Sequence, residues 1–120
     1  MRARSFDSVK VVSLNRERVR EQVRAAVRRL AARHPEIQRA VLFGSLARGD
    51  AVPGSDADVL LVLKKSDRPF MKRISDYELS LSSIGVDVFP YTEEELARME
   101  KDGNAFIEQA LAEGVEIYGR

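Results

Sequence analysis

The sequence predicts an α+β domain: a small mixed β-sheet with helices packed on it, in α/β-type layering. Two observations carry this. Stretches with helical spacing of apolar residues interleave with short apolar runs of strand length, in the order α-β-β-α-β-α-α-β. One of those runs, Ala57 to Leu63 (ADVLLVL), is apolar at almost every position after Asp58, the mark of a central strand covered on both faces. The length of 120 residues suits one domain, and 44% hydrophobic with 32% charged residues is a globular composition.

The elements follow in order. Between Asn15 and Arg33, Val19, Val23, Val27 and Leu30 form a helical stripe with Ala26 beside them, Asn15 as a candidate N-cap and Pro35 as the stop. Arg16, Arg20, Arg24 and Arg28 form a ridge on this helix, softened by Glu17 and Glu21 three residues before an arginine. Ile37 to Phe43 reads as a strand ending in Gly44-Ser45, and Leu46 to Arg48 as one helical turn with Ser45 a good N-cap. Gly49 to Asp56 is a loop with Pro53-Gly54 as its turn signal. Phe70 to Ser83 carries Met71, Ile74, Leu79 and Leu81 in rough helical spacing, and Val86 to Tyr91 is a third strand. Thr92 to Glu95 is a capping box opening a helix through Lys101. Gly103 ends that helix, Asn104 caps another to about Glu113, and Val115 to Tyr118 close the chain as a strand.

Composition excludes several chemistries. There is no cysteine, so no disulfide, thiolate metal site or cysteine nucleophile. The single histidine, His34, reads as a helix-end residue beside Pro35. No apolar run approaches the roughly 20 residues that cross a bilayer, and the basic start MRARSFDSVK is followed by no apolar signal core. A cytoplasmic protein without membrane attachment is expected. Residues 1–36 hold ten Lys/Arg against four Asp/Glu, whereas residues 37–120 hold ten against fifteen. The basic segment is most simply a solvated face; direct nucleic-acid binding through it is the less favoured reading. Lys64, Lys65, Asp67 and Arg68 read as a solvated loop, and Tyr77 and Tyr91 as packing residues.

The chemistry concentrates in Gly44 to Asp58, GSLARGDAVPGSDAD. Asp56 and Asp58 are two apart, so on a strand both carboxylates share a face. Asp87 lies between Val86 and Val88; with those valines on the core, Asp87 turns to the other face. If the strands are neighbours, three carboxylates converge and repel. Divalent cations resolve this: Mg²⁺ takes oxygen ligands, commonly one or two carboxylates plus substrate phosphates. Two such ions about 4 Å apart can stabilise both oxygens of a phosphoryl transfer. Gly44 lets the backbone approach a phosphate, Ser45 can donate its hydroxyl, and Arg48 one turn on can act as a fork donor. The candidate catalytic and metal residues are therefore Asp56, Asp58 and Asp87, and the candidate nucleotide-binding residues are Gly44, Ser45, Arg48, Asp56 and Asp58.

Gly44-Ser45, ten residues, Asp56-Ala57-Asp58 and then Asp87 in VDVFPY resemble the signature of the DNA polymerase β-like nucleotidyltransferase superfamily. GSLARGD and the ending AFIEQALAEGVEIYGR resemble its compact prokaryotic branch, the minimal nucleotidyltransferases. The resemblance covers roughly residues 15–120, read as the nucleotidyltransferase domain, with residues 1–14 as a leader. It implies the polymerase β palm-like fold and transfer of a nucleoside monophosphate, AMP from ATP foremost, to an acceptor hydroxyl with two Mg²⁺ ions. It also implies an antitoxin whose partner is a HEPN-domain toxin, modified on a tyrosine. The alternative is a non-catalytic antitoxin that neutralises its partner by covering it. Association of copies is compatible with a core of this size.

Overall fold

The structure is a computed structural model that describes residues 2–51, 54–81 and 84–120, with side chains from Glu17 onward. Four strands, β1 (Ile37–Phe43), β2 (Ala57–Leu63), β3 (Val86–Thr92) and β4 (Val115–Gly119), form one sheet in the order β3-β2-β1-β4. The sheet is mixed: β1 pairs antiparallel with β2 and β4, and β2 pairs parallel with β3. The five helices are α1 (Arg2–Arg33), α2 (Ser45–Arg48), α3 (Phe70–Asp76), α4 (Glu93–Lys101) and α5 (Ala105–Glu113). The expected α+β class and element order both stand.

Strand β2 lies inside the sheet, and its apolar run is buried on both faces. One face packs Ala40, Leu42, Val59, Leu61, Leu63 and Val88 against the stripe Val23, Val27 and Leu30 of α1. The other packs Val41, Phe43, Leu60 and Val62 against Leu96 of α4 and Ile107 and Ala110 of α5. The alternation of the strands thus distributes side chains between two helical layers. The predicted caps form: Thr92 and Glu95 close a reciprocal capping box on α4, and Asn104 accepts from the Ile107 amide on α5. No helix among the described residues is long and apolar enough to cross a membrane.

Three local expectations are corrected. Asn15 does not cap α1, which runs continuously from Arg2 because neither glycine nor proline interrupts it before Pro35. The third helix stops at Asp76 instead of continuing toward Ser83. Tyr77 leaves helical geometry (φ −116°, ψ 40°), its hydroxyl donates to Glu36 at 2.5 Å, and Leu79 turns into the α1-side core. These tertiary contacts override the helical spacing. Ser82 and Ser83 lie outside the described residues, as does Pro53 of the predicted turn, whereas Gly54 has the positive φ of +90° that such a turn needs. Ser45 is not a cap either: Gly44 occupies the N-cap position and Ser45 is the first helical residue.

A buried polar network ties the edge strand β3 to its helices. Arg73 of α3 is 4% exposed. Its guanidinium donates to the Arg68 carbonyl at 2.8 Å, to the Pro90 carbonyl at 3.1 Å, and to both Glu95 oxygens at 2.6 and 3.1 Å. Glu95 simultaneously accepts from the Thr92 amide. The Arg73 hydrogen bonds hold the Glu95 carboxyl below its ordinary range. Its stabilising contribution is therefore complete above the unfolded carboxyl's pKa and is lost as the pH falls through the lowered folded value. Removing one partner strands the other's charge, so Glu95→Ala is expected to cost about 3 kcal/mol in urea unfolding. The double change Arg73→Met with Glu95→Leu should recover most of that loss. A single variant as stable as the wild type would contradict this account of the network.

Candidate active site

The three aspartates meet at one end of the sheet, and each is placed by a different backbone device. Asp58 and Asp87 are direct partners in the parallel register of β2 and β3. Residues so paired project from the same face, on strands about 4.8 Å apart. Phe43 is opposite Asp58 across the antiparallel pair, so it shares that face too, which is the α4–α5 side. Val86 and Val88 point instead to the α1 side, as the sequence predicts. Asp56, two residues before Asp58, leans over Gly85: a Cβ on Gly85 would stand 2.7 Å from Asp56 Oδ1. The Ala57 amide donates to the Gly85 carbonyl at 3.0 Å and holds the two segments together there.

Gly44 closes the arrangement from β1. It has φ +78° and ψ −158°, a region only glycine populates freely. A Cβ in its place would lie 2.3 Å from Asp58 Oδ2. The absent side chain is therefore the space that the Asp58 carboxylate fills. Asp58 is half-buried, whereas Asp56 and Asp87 are exposed. Burial pushes the Asp58 carboxyl above its ordinary range, Asp87 and Asp56 push it further, and Arg48 pulls it back. The three aspartates are thus neighbours in charge as well as in sequence pattern.

After Gly44 the chain enters α2, whose first amides have no carbonyl within the helix to bond. Ser45 sits half-buried at this start. Arg48 is less available than its sequence position suggests: it pairs with Asp50 at 3.1 Å and with Glu113 of α5 at 2.9 Å. An arginine that the pattern assigns to a solvated ridge has a supporting role here. Arg20 of α1 donates to the Leu46 and Ala47 carbonyls at 3.3 and 3.1 Å, anchoring α2 from behind. Nothing in the sequence distinguishes it from Arg24, which pairs with Glu21 as expected.

The donor set is carboxylate oxygen alone, which suits a hard divalent cation such as Mg²⁺ and not a soft one. Among the described residues no three acidic or histidine side chains already enclose a metal position. Rotation of the exposed Asp56 and Asp87 side chains about the fixed Asp58 is what would complete one. Two shallow recesses flank the carboxylates. One, of about 480 Å³, runs between α3 and β3 beyond Asp87. The other, of about 170 Å³, opens beside Gly44 against α5.

Residues 25–120 match the sequence profile of the polymerase beta nucleotidyltransferase family. A solved structure of a candidate nucleotidyltransferase from Sulfolobus solfataricus superposes with a TM-score of 0.64 at 22% identity, over 91% of this chain and 87% of that one. A chain of a toxin–antitoxin solved with AMP-PNP superposes with a TM-score of 0.53 at 17% identity, over 81% of this chain and 73% of that one. At these identities the two structures establish a shared fold. Comparison with the curated proteins returns no significant match.

The Gly44–Asp58 contact makes a direct prediction. Gly44→Ala must adopt a backbone region that costs about 1–3 kcal/mol for a residue with a Cβ, and it must also displace Asp58. Urea unfolding should show a loss of at least that size. Unfolding at the wild-type midpoint would show that the Asp58 carboxylate does not depend on this space.

Proposed function

This chain belongs to the polymerase beta nucleotidyltransferase family, and we propose that it is an active, Mg²⁺-dependent member that moves AMP from ATP to an acceptor hydroxyl. The observation that carries the proposal is the register of Asp58 against Asp87, with Asp56 alongside and Gly44 opening the backbone beside them. Asp56, Asp58 and Asp87 would hold the metal ions. Bound there, Mg²⁺ supplies the positive charge that offsets both the carboxylates and the triphosphate.

The chain's own groups account for the remaining steps. Gly44 and the opening amides of α2 receive phosphate oxygens, and the Ser45 hydroxyl donates to them. The acceptor oxygen forms a bond to the α-phosphorus while the bond from that phosphorus to the bridging oxygen breaks, releasing pyrophosphate. A carboxylate oxygen of the exposed Asp87 takes the acceptor's proton. Arg48 holds α5 to this turn through Glu113, which restricts where its remaining donors can meet a phosphate. No protein nucleophile is required, because positioning and charge neutralisation carry such transfers.

The choice of ATP, and of a toxin as partner, is supported by the toxin–antitoxin neighbour solved with AMP-PNP. A HEPN toxin carrying the acceptor tyrosine is the partner that the sequence signature suggests.

Calorimetric titration of each of the four nucleoside triphosphates tests the proposal, with and without Mg²⁺, for the wild type and Asp58→Ala. Mg²⁺-dependent binding should be present in the wild type and fall to background in the variant. Without metal, Asp58→Ala should melt at or above the wild-type temperature, because it removes a repelled, half-buried charge. Equal nucleotide binding by both proteins would overturn the metal assignment. Neutralisation of a toxin by a triple aspartate variant would favour the binding-only antitoxin.

A further inference from the structure

The recess beside Gly44 has the features of a base-binding site. Phe106, the second residue of α5, is 42% exposed, while Ile107 and Ala110 of the same helix are buried. Leaving four-tenths of such a side chain in water forgoes about 1 kcal/mol of burial. The ring is nonetheless held in place. It meets Phe43 edge-on at 5.6 Å and 82°, and Phe89 at 5.3 Å and 54°, and those two lie 5.4 Å apart. Phe43 is the register partner of Asp58, and Phe89 follows Asp87 by two residues on the same strand. All three rings therefore belong to the face that carries the carboxylates.

The recess of about 170 Å³ is lined by Phe43, Gly44, Arg48, Phe106, Gln109 and Glu113. Gly44 is common to it and to the phosphate turn. A nucleotide with its phosphates at Gly44 would lie against the recess that Phe106 also lines. Gln109, exposed and three residues further along α5, offers both an amide donor and an acceptor to a base edge. The larger groove between α3 and β3 also reaches Asp87, from the side of Met71 and Ile74.

We propose that Phe106 is the stacking platform for the nucleobase of the triphosphate, with Gln109 meeting the base edge and purines bound more tightly than pyrimidines. This rests on the nucleotidyltransferase reading above and adds where the base sits. A purine covers more of the exposed ring than a pyrimidine does. Base–aromatic stacking tolerates any base and is lost when the ring is removed.

Calorimetry in Mg²⁺ with ATP, GTP, CTP and UTP, and with tripolyphosphate as the base-free probe, tests the inference on wild type, Phe106→Ala and Phe106→Trp. ATP and GTP should bind more tightly than CTP, UTP and tripolyphosphate. Phe106→Ala should weaken ATP and GTP about tenfold and leave tripolyphosphate unchanged. Phe106→Trp should retain ATP binding, with its indole fluorescence quenched on addition. If Phe106→Ala leaves ATP binding intact, or weakens ATP and tripolyphosphate equally, the base seat is overturned and the nucleotidyltransferase reading stands. Loss of ATP selectivity in Met71→Ala with Ile74→Ala instead would move the base to the α3–β3 groove and overturn it too. A wild type that binds neither ATP nor tripolyphosphate overturns both readings.

Discussion

The crowding of three carboxylates at one end of the sheet is the constraint around which this fold is organised. Asp58 and Asp87 face each other across the parallel β2–β3 register, and Asp56 follows them from the preceding turn. Left to themselves these charges would push the strands apart. The burial of β2 on both faces opposes that, since Val59, Leu60, Leu61 and Leu63 are fully covered one to five residues away. An apolar strand with a charged end is thus both the core of the molecule and the rigid mount for its anionic groups. Like charges held close by packing repel one another, and burial and the two neighbouring carboxylates together raise the Asp58 carboxyl above its ordinary range.

The surrounding elements share out the task of keeping that mount still. Arg73 and Glu95 fix β3 to α3 and α4 through the Pro90 carbonyl, three residues beyond Asp87. Gly44 removes a side chain so that Asp58 can occupy its place, and Gly85 does the same for Asp56. Arg20 reaches from α1 to the carbonyls of α2 and steadies the turn that follows Gly44. Phe43 and Phe89 line the floor beneath the carboxylates and hold Phe106 at the rim. These devices act on side-chain position around the three aspartates.

Much of this was legible in the sequence, for physical reasons. A run such as ADVLLVL has few environments available to it, so the interior strand could be read directly. Caps at Thr92 and Asn104 are local, and local rules held. The convergence of Asp56, Asp58 and Asp87 followed from strand alternation once the strands were taken as neighbours. What escaped depended on distant contacts. Tyr77 ended α3 because Glu36, far away in sequence, bonds its hydroxyl. Arg73 sits in a rough amphipathic pattern among charged residues, and the distant carbonyl of Pro90 and carboxylate of Glu95, with the nearby Arg68 carbonyl, make its burial favourable. Arg20 resembled its ridge neighbours until α2 was placed behind it. Nothing in the sequence marks Phe106, and its partial exposure is a property of the packed sheet and helix. The start of α1 was misplaced because Asn15 is a permitted cap that the continuing chain did not require.

Cation binding by the aspartate cluster is the central claim, and it is open to direct counting. Mn²⁺ is a close substitute for Mg²⁺ in oxygen-ligand sites and can be followed by electron paramagnetic resonance. Titration of Mn²⁺ into the protein with a non-hydrolysable ATP analogue should show two bound ions per chain, displaced by excess Mg²⁺. A spectrum no different from Mn²⁺ with the analogue alone would contradict the account, and would mean that Asp56, Asp58 and Asp87 are crowded for some purpose other than holding metal.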